Sequence, residues 1–164
     1  MRTALRAFPL AAVALLFALT ACAPTKAPPP APTSPSLPFD TADPIAKELF
    51  SSTNADRAAN ALDPLAWNDQ LGGLAQSWSD HMATTGQLVH QDLDGLRQTP
   101  AYSGFSDLKE NILSGACTFT AAQIEAAFMA SAPHKANILG NFTVMGIGVK
   151  CDATHLWVTV IFGR

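Results

Sequence analysis

Three side chains in this sequence carry the chemistry of a site: two imidazoles, His90 and His134, and one carboxylate, Glu110. Such a set suits a divalent ion that keeps one coordination position open, with zinc the natural candidate. Water on such an ion becomes acidic enough to act as a nucleophile near neutral pH. Glu110 has a second use beside a metal, as a general base. Ser131, three residues before His134, raises a weaker idea, a hydroxyl nucleophile with a histidine base. At a helix junction the two need not face one another, and capping is a simpler role for Ser131. No compact motif such as His-Glu-x-x-His is present, and no oxyanion donor set is readable. The plainer alternative is a mutual hydrogen-bond network that holds two helices to a strand.

Spacing alone does not bring these residues together, so the elements between them must. Ser131 to Leu139 places His134 at the opening of a short helix. Pro133 fits its first turn, where a missing N–H has no intrahelical partner to lose. Gly140 fits the stop, by taking the left-handed conformation. His90 follows Gly86-Gln87-Leu88-Val89, where the chain leaves an earlier helix. If residues 110–113 are extended, Glu110 and Ile112 face the same side. A glutamate on an apolar side is costly to bury without a partner, which a histidine or a metal would supply; on a solvent-facing segment it needs none.

The remaining pattern supplies a frame. Asp43-Pro44 caps and opens a first helix. Ile45, Leu49, Ser52, Ala55, Ala59 and Leu62 recur along it at helical steps. Asn54 and Arg57 lie on another face and are able to tie the helix to a neighbouring loop. Asp63-Pro64 ends it, and Leu65 and Trp67 tuck a connector into the core. Asn68 caps a second helix with a stripe of Leu71, Leu74, Ala75, Trp78 and Met82. His81 flanks that stripe, a packed or half-exposed residue more readily than a ligand. Gly86 ends the helix. Residues 91–106 read as a long polar loop anchored by Tyr102 and Phe105. Thr120 and Gln123 form a capping box for a third helix, with Ile124, Ala127, Phe128 and Ser131 inward. Residues 144–151 and 156–162 alternate and predict an antiparallel hairpin. Gly146 and Gly148 share one face of it, which predicts a close neighbour there.

Of the 164 residues, the first part does not belong to a fold. Arg2 and Arg6 precede an apolar run over 7–19, shorter than the ~20 residues that span a bilayer. The run ends in Leu19-Thr20-Ala21-Cys22, which resembles the lipobox of bacterial lipoproteins. That resemblance implies residues 1–21 as a cleaved signal and a lipid-modified Cys22, with palmitate-type acylation, as the mature N-terminus. An ordinary signal cut near Ala21 or Ala23 is the alternative. Pro, Ala, Ser and Thr dominate 23–38, an extended spacer. Residues 39–164 make one domain. The expected location is exported and held to the cell membrane or outer membrane by lipid, with the domain in the periplasm or extracellular space. Net charge is −3 without a basic cluster, which argues against nucleic acid as a partner. With Cys22 used by the lipid, Cys117 and Cys151 remain, and in an exported domain a disulfide between them is expected. A catalytic thiol is the alternative, and neither cysteine has a histidine close in sequence.

In order along the domain stand Asn54-Ala55-Asp56-Arg57, Leu65-Ala66-Trp67-Asn68, Leu74-Ala75 with His81-Met82 and His90, Glu110-Asn111-Ile112, Ser131 through Leu139, and Gly146-Ile147-Gly148-Val149 with Trp157-Val158-Thr159. Together they resemble the CAP superfamily (cysteine-rich secretory, antigen 5 and pathogenesis-related 1), in its bacterial SCP-like branch. The resemblance implies an α+β fold, an α–β–α sandwich with a central antiparallel sheet flanked by helices. It also implies a central cleft with two histidines and two acids that in some members binds a divalent metal. His90, Glu110 and His134 carry over by motif. The second acid does not, since Ser131 stands in its place, and Phe128 replaces a tryptophan. Two functions remain open. One is a non-catalytic binding module for a lipid, wall or protein ligand on the cell envelope. The other is a metal-dependent hydrolase using the cleft.

Overall fold

The structure is a computed structural model that describes residues 35–164. The signal run, its cleavage point and Cys22 lie outside the described residues. A hairpin of β3 (Val144–Cys151) and β4 (Leu156–Gly163) forms its centre. β4 pairs antiparallel with β2 (Leu108–Gly115) as well as with β3. A two-residue strand, β1 (Ala66–Trp67), adds to the outer edge of β3, and the order is β1-β3-β4-β2. β1 runs parallel to β3, so the expected antiparallel sheet is in fact mixed. The long crossover from residue 67 to 144 allows that direction, which a tight hairpin would forbid.

Alternation along β4 divides the molecule into layers. Leu156, Val158, Val160 and Phe162 join a core with α1 (Pro44–Ala59) and α4 (Ala121–Ala130). Ile161 turns the other way, onto Leu71, Leu74 and Ala75 of α2 (Asp69–Thr85). The result is the expected α–β–α sandwich. α2 lies so close to β3 that side chains are excluded between them. A Cβ at Gly146 would strike the backbone of Leu71 and Gly72, and one at Gly148 the backbone of Ala75 and Gln76.

Helix boundaries follow the expected chemistry. Asp43 accepts from the Ile45 amide at 2.8 Å, Asn68 from the Leu71 amide at 2.9 Å, and the Thr120–Gln123 capping box is complete. Gly86 takes φ +66° and closes α2. Gly140 does not play that part: the described residues place positive φ only at Gly86 and Ala61, and α5 (Ala132–Ile138) ends on Leu139. Gly140 is needed for space, since a Cβ there would lie 2.6 Å from the Phe142 ring. The segment expected to be loop over 91–106 contains a short helix, α3 (Leu93–Arg97), opened by Asp92. Tyr102 is buried and Phe105 half-buried, as expected of its anchors. Leu37, two residues ahead of the expected domain start, already packs on the core and accepts from the Trp67 indole at 3.1 Å. Cys117 and Cys151 are joined, with Cα atoms 5.7 Å apart, so neither is a free thiol.

Two inward faces differ from the apolar periodicity. α1 buries Ala46, Leu49, Thr53 and Arg57, not the face through Ser52, Ala55 and Ala59. α4 buries Glu125, while Ala127 is exposed. Both departures have one cause, which is that polar side chains are taken inside for their partners. Arg57 donates to the carbonyls of Asp63, Ile138, Gly140 and Phe142 at 2.9, 2.8, 2.9 and 3.4 Å. Asn54 exchanges two hydrogen bonds with the backbone of Leu65. Thr53 donates to Glu125 Oε2 at 2.9 Å.

Burial pushes the Glu125 carboxyl up to about 7, and Asp56 adds to the shift while Thr53 opposes it. A carboxyl raised in the folded state stabilises fully below its unfolded value, and that stability is lost as pH rises through the folded one. Stability therefore falls by ~3 kcal/mol between about pH 4.5 and pH 8 on this account. Chemical denaturation of Glu125→Gln should give near parity with the parent at pH 4.5 and a gain of ~2–3 kcal/mol at pH 8. Gly146→Ala should cost ~2–3 kcal/mol at either pH, read as a lower denaturation midpoint, because helix backbone has to move.

Candidate functional site

Glu110 is the pivot of the site. It sits on β2, 6% exposed, and both carboxylate oxygens are engaged. Oε2 accepts from His90 Nδ1 at 2.7 Å and from the Gln91 amide at 3.3 Å, and Oε1 accepts from Gln91 Nε2 at 2.6 Å. The partner anticipated for a buried glutamate is thus a histidine, with Gln91 completing the set. Nδ1 of His90 faces an acceptor and carries the proton in the neutral ring, which leaves Nε2 as an acceptor. The imidazole is 59% exposed, so that nitrogen is open to a ligand. A cleft of about 260 Å³ opens here, lined by His90, Gln91, Asp94, Lys109, Glu110 and Asn137 among others.

His134 approaches this cleft without lining it. Its ring is half-buried and edge-on to Phe128, with centroids 5.2 Å apart. Burial lowers its pKa first, and the charge of His90 lowers it further. The two imidazoles are thus close enough to sense one another. α5 is tied to β2 by amides: Asn111 Nδ2 donates to the His134 carbonyl at 3.1 Å, and Asn137 Nδ2 donates to the Glu110 carbonyl and to Asn111 Oδ1 at 3.2 and 2.8 Å.

His90 and Glu110 are therefore in contact and His134 is their neighbour, but the expected ligand trio does not close. Among the described residues no group of three or more His, Cys, Asp or Glu is arranged to hold a metal. Glu110 already accepts hydrogen bonds on both oxygens, from His90 and Gln91. It acts as the group that orients an imidazole, as carboxylates behind metal-bound histidines do. Ser131 is not the cap anticipated for it. It joins α4 to α5 through its backbone, and its side chain makes no cap hydrogen bond to α5. His81 stacks on Trp78 at 4.6 Å on the exposed side of α2, away from any ligand role.

Sequence reasoning missed Gln91 and gave no role to Asn111 or Asn137. A signal existed for Gln91, the polar residue beside His90 at the start of a segment with few apolar anchors. Asn111 and Asn137 stand within the motifs that carry the family resemblance, but an asparagine in a strand and one in a helix show no partner until their elements meet.

With this geometry, family membership can be stated. The model of the CAP family, the cysteine-rich secretory protein family, matches residues 50–162, and the chain belongs to that family. A search of the curated proteins returns no match. Among solved structures, an extracellular SCP-domain protein from Bacillus anthracis is 25% identical with TM-score 0.62, over 76% of this chain and 41% of that one. An outer surface protein of Borrelia burgdorferi is 19% identical with TM-score 0.63, over 72% of this chain and 90% of that one. NaASP2, solved with Zn2+, is 13% identical with TM-score 0.57, over 76% and 82%. This chain thus spans about two fifths of the Bacillus protein, at 41%.

The coupling of the imidazoles is measurable. In an NMR titration His134 should protonate below the ordinary histidine range. In His90→Gln its midpoint should rise, yet stay below that range because burial, the larger cause, remains.

Proposed function

We propose that this chain is an exported, lipid-tethered protein of the cell envelope whose CAP domain is a binding module, with the His90 cleft as its ligand site. One observation carries the reading: Glu110 is buried with both oxygens accepting hydrogen bonds inside the protein, so the cleft offers a fixed, exposed imidazole. Lys109 adds a donor, and Asp94 adds an acceptor at its edge. Such a rim suits a polar group on a lipid head, a wall fragment or a protein segment. The lipobox-like Leu19-Thr20-Ala21-Cys22 and the Pro-rich spacer support the tether. The extracellular and outer-surface placement of the Bacillus and Borrelia proteins agrees with export.

A second reading, a divalent-metal-dependent hydrolase, is favoured by the outward Nε2 of a carboxylate-oriented imidazole. The solution of NaASP2 with Zn2+ is in keeping with it. His90 and His134 would hold the ion, and the ion would supply Lewis-acid chemistry. With Glu110 engaged, solvent or substrate would have to complete the coordination.

Calorimetric zinc titration of the purified protein, with His90→Ala/His134→Ala as control, separates the two. Micromolar binding lost in the double variant would favour the metal reading. Without it, NMR titration with envelope lipid vesicles and soluble wall fragments should move the His90 ring signals, and His90→Ala should abolish the response while the fold persists. If neither ligand class perturbs His90, the binding reading fails. In cell fractionation, Cys22→Ala should leave the membrane fraction.

A further inference from the structure

One face of the domain, beside the His90 cleft, is apolar and faces solvent. Leu88 and Val89 are the large hydrophobic side chains that stand exposed among the described residues, at 52% and 43%. They form the tip of the segment that leads from α2 to His90. Trp78 joins this tip to a groove. Its indole Nε1 donates to the Val89 carbonyl at 2.8 Å, and the residue lines the groove together with Leu74 and Leu96. That groove, of about 530 Å³, lies between α2 and α3. Apolar side chains gathered in this way mark a contact surface, which scattered single ones do not. Charge does not define it. Asp80 faces Lys150 at 3.8 Å and Asp94 faces Arg97 at 3.4 Å, so no basic rim calls for an anionic partner.

We propose that this face rests on a lipid bilayer, with Leu88 and Val89 entering the acyl boundary and Trp78 at the level of the head groups. The inference rests on the tethered reading above, in which Cys22 carries a lipid. The place where the chain leaves the domain supports this occupant. The backbone of Pro35, the first described residue, lies against Gly73, which precedes Leu74 on α2. From Cys22 to Pro35 the chain spans at most ~45 Å when fully extended. The α2 layer is therefore never farther than that from the membrane, and contact with it becomes an intramolecular event. A shallow apolar contact too weak to hold a free protein is then enough. Indole rings favour the membrane–water boundary, and leucine and valine favour the acyl region beneath it. His90, the residue after Val89, comes to the head-group layer by the same contact, so the ligand class of its cleft becomes a lipid head.

The test uses the chain from Cys22 onward, coupled through Cys22 to a maleimide lipid in phosphatidylcholine vesicles. Cys117 and Cys151 are paired, so the coupling is confined to Cys22. Because the tether is supplied chemically, a failure here concerns the docking face alone, while the Cys22→Ala fractionation reads the tether. With brominated acyl chains in the vesicles, part of the tryptophan fluorescence should be quenched, and Trp78→Phe should remove the quenched part. Leu88→Glu/Val89→Glu should abolish quenching while the coupled protein stays on the vesicles. Both positions are exposed, so this variant keeps the core intact. Quenching should be the same at about 0.05 and 0.5 M NaCl, since screening acts on charges and not on apolar contact. Unquenched fluorescence, quenching unchanged by the two glutamates, or quenching lost at high salt would each overturn the proposal. A dimer in sedimentation that Leu88→Glu/Val89→Glu dissolves, without quenching on vesicles, would assign the face to a second copy instead.

Discussion

The guanidinium of Arg57 is the constraint on which the site's frame rests. It is 3% exposed and donates to four carbonyls, one from the turn that ends α1 and three from the chain leaving α5. Those carbonyls are helix-end and loop groups with no partner in regular structure. A planar fork of donors satisfies them together, as a lysine's point charge would not. α5 is thereby held at its far end to α1, and Asn111 and Asn137 hold it to β2. His134 takes its position from these two ties.

The cleft shows how a buried charge changes the meaning of its neighbours. Glu110 on an edge strand needs donors, and it finds three from the consecutive residues His90 and Gln91. The segment after α2, otherwise exposed through Leu88 and Val89, is anchored there. The same carboxylate orients an imidazole and accepts from the neighbouring Gln91. One hydrogen-bond pattern therefore shapes both the local structure and the site.

Glu125 is the opposite case. It is buried without a full complement of donors, on the layer formed by α1 and α4. A protein tolerates such a group when it is neutral, and ionisation near neutral pH makes it a weak point of the fold. Oε1 of Glu125 accepts no hydrogen bond from the described residues, and that missing donor also underlies the stability lost with rising pH.

Much of the frame was legible in the sequence because it is written in local chemistry. Asp43-Pro44, Asn68, Gly86 and the Thr120–Gln123 pair act within a turn of where they stand, and the alternation over 144–162 reports two sheet faces. The paired glycines 146 and 148 foretold the close approach of α2. The ordered motifs placed His90, Glu110 and His134 in one region. Tertiary structure alone decided what those residues do to each other. The tie made by Arg57 was anticipated, but its burial and that of Glu125 were not, because apolar periodicity does not register a polar group buried for its partners. Gly140 read as a left-handed stop, whereas it is needed for space against the Phe142 ring, whose turn back onto it only the fold shows. The commitment of Glu110 to Gln91 depends on distances between elements 19 residues apart, and the turning of His134 onto Phe128 depends on how α5 packs against α4. Sequence separation carries no information on such distances; only packing sets them.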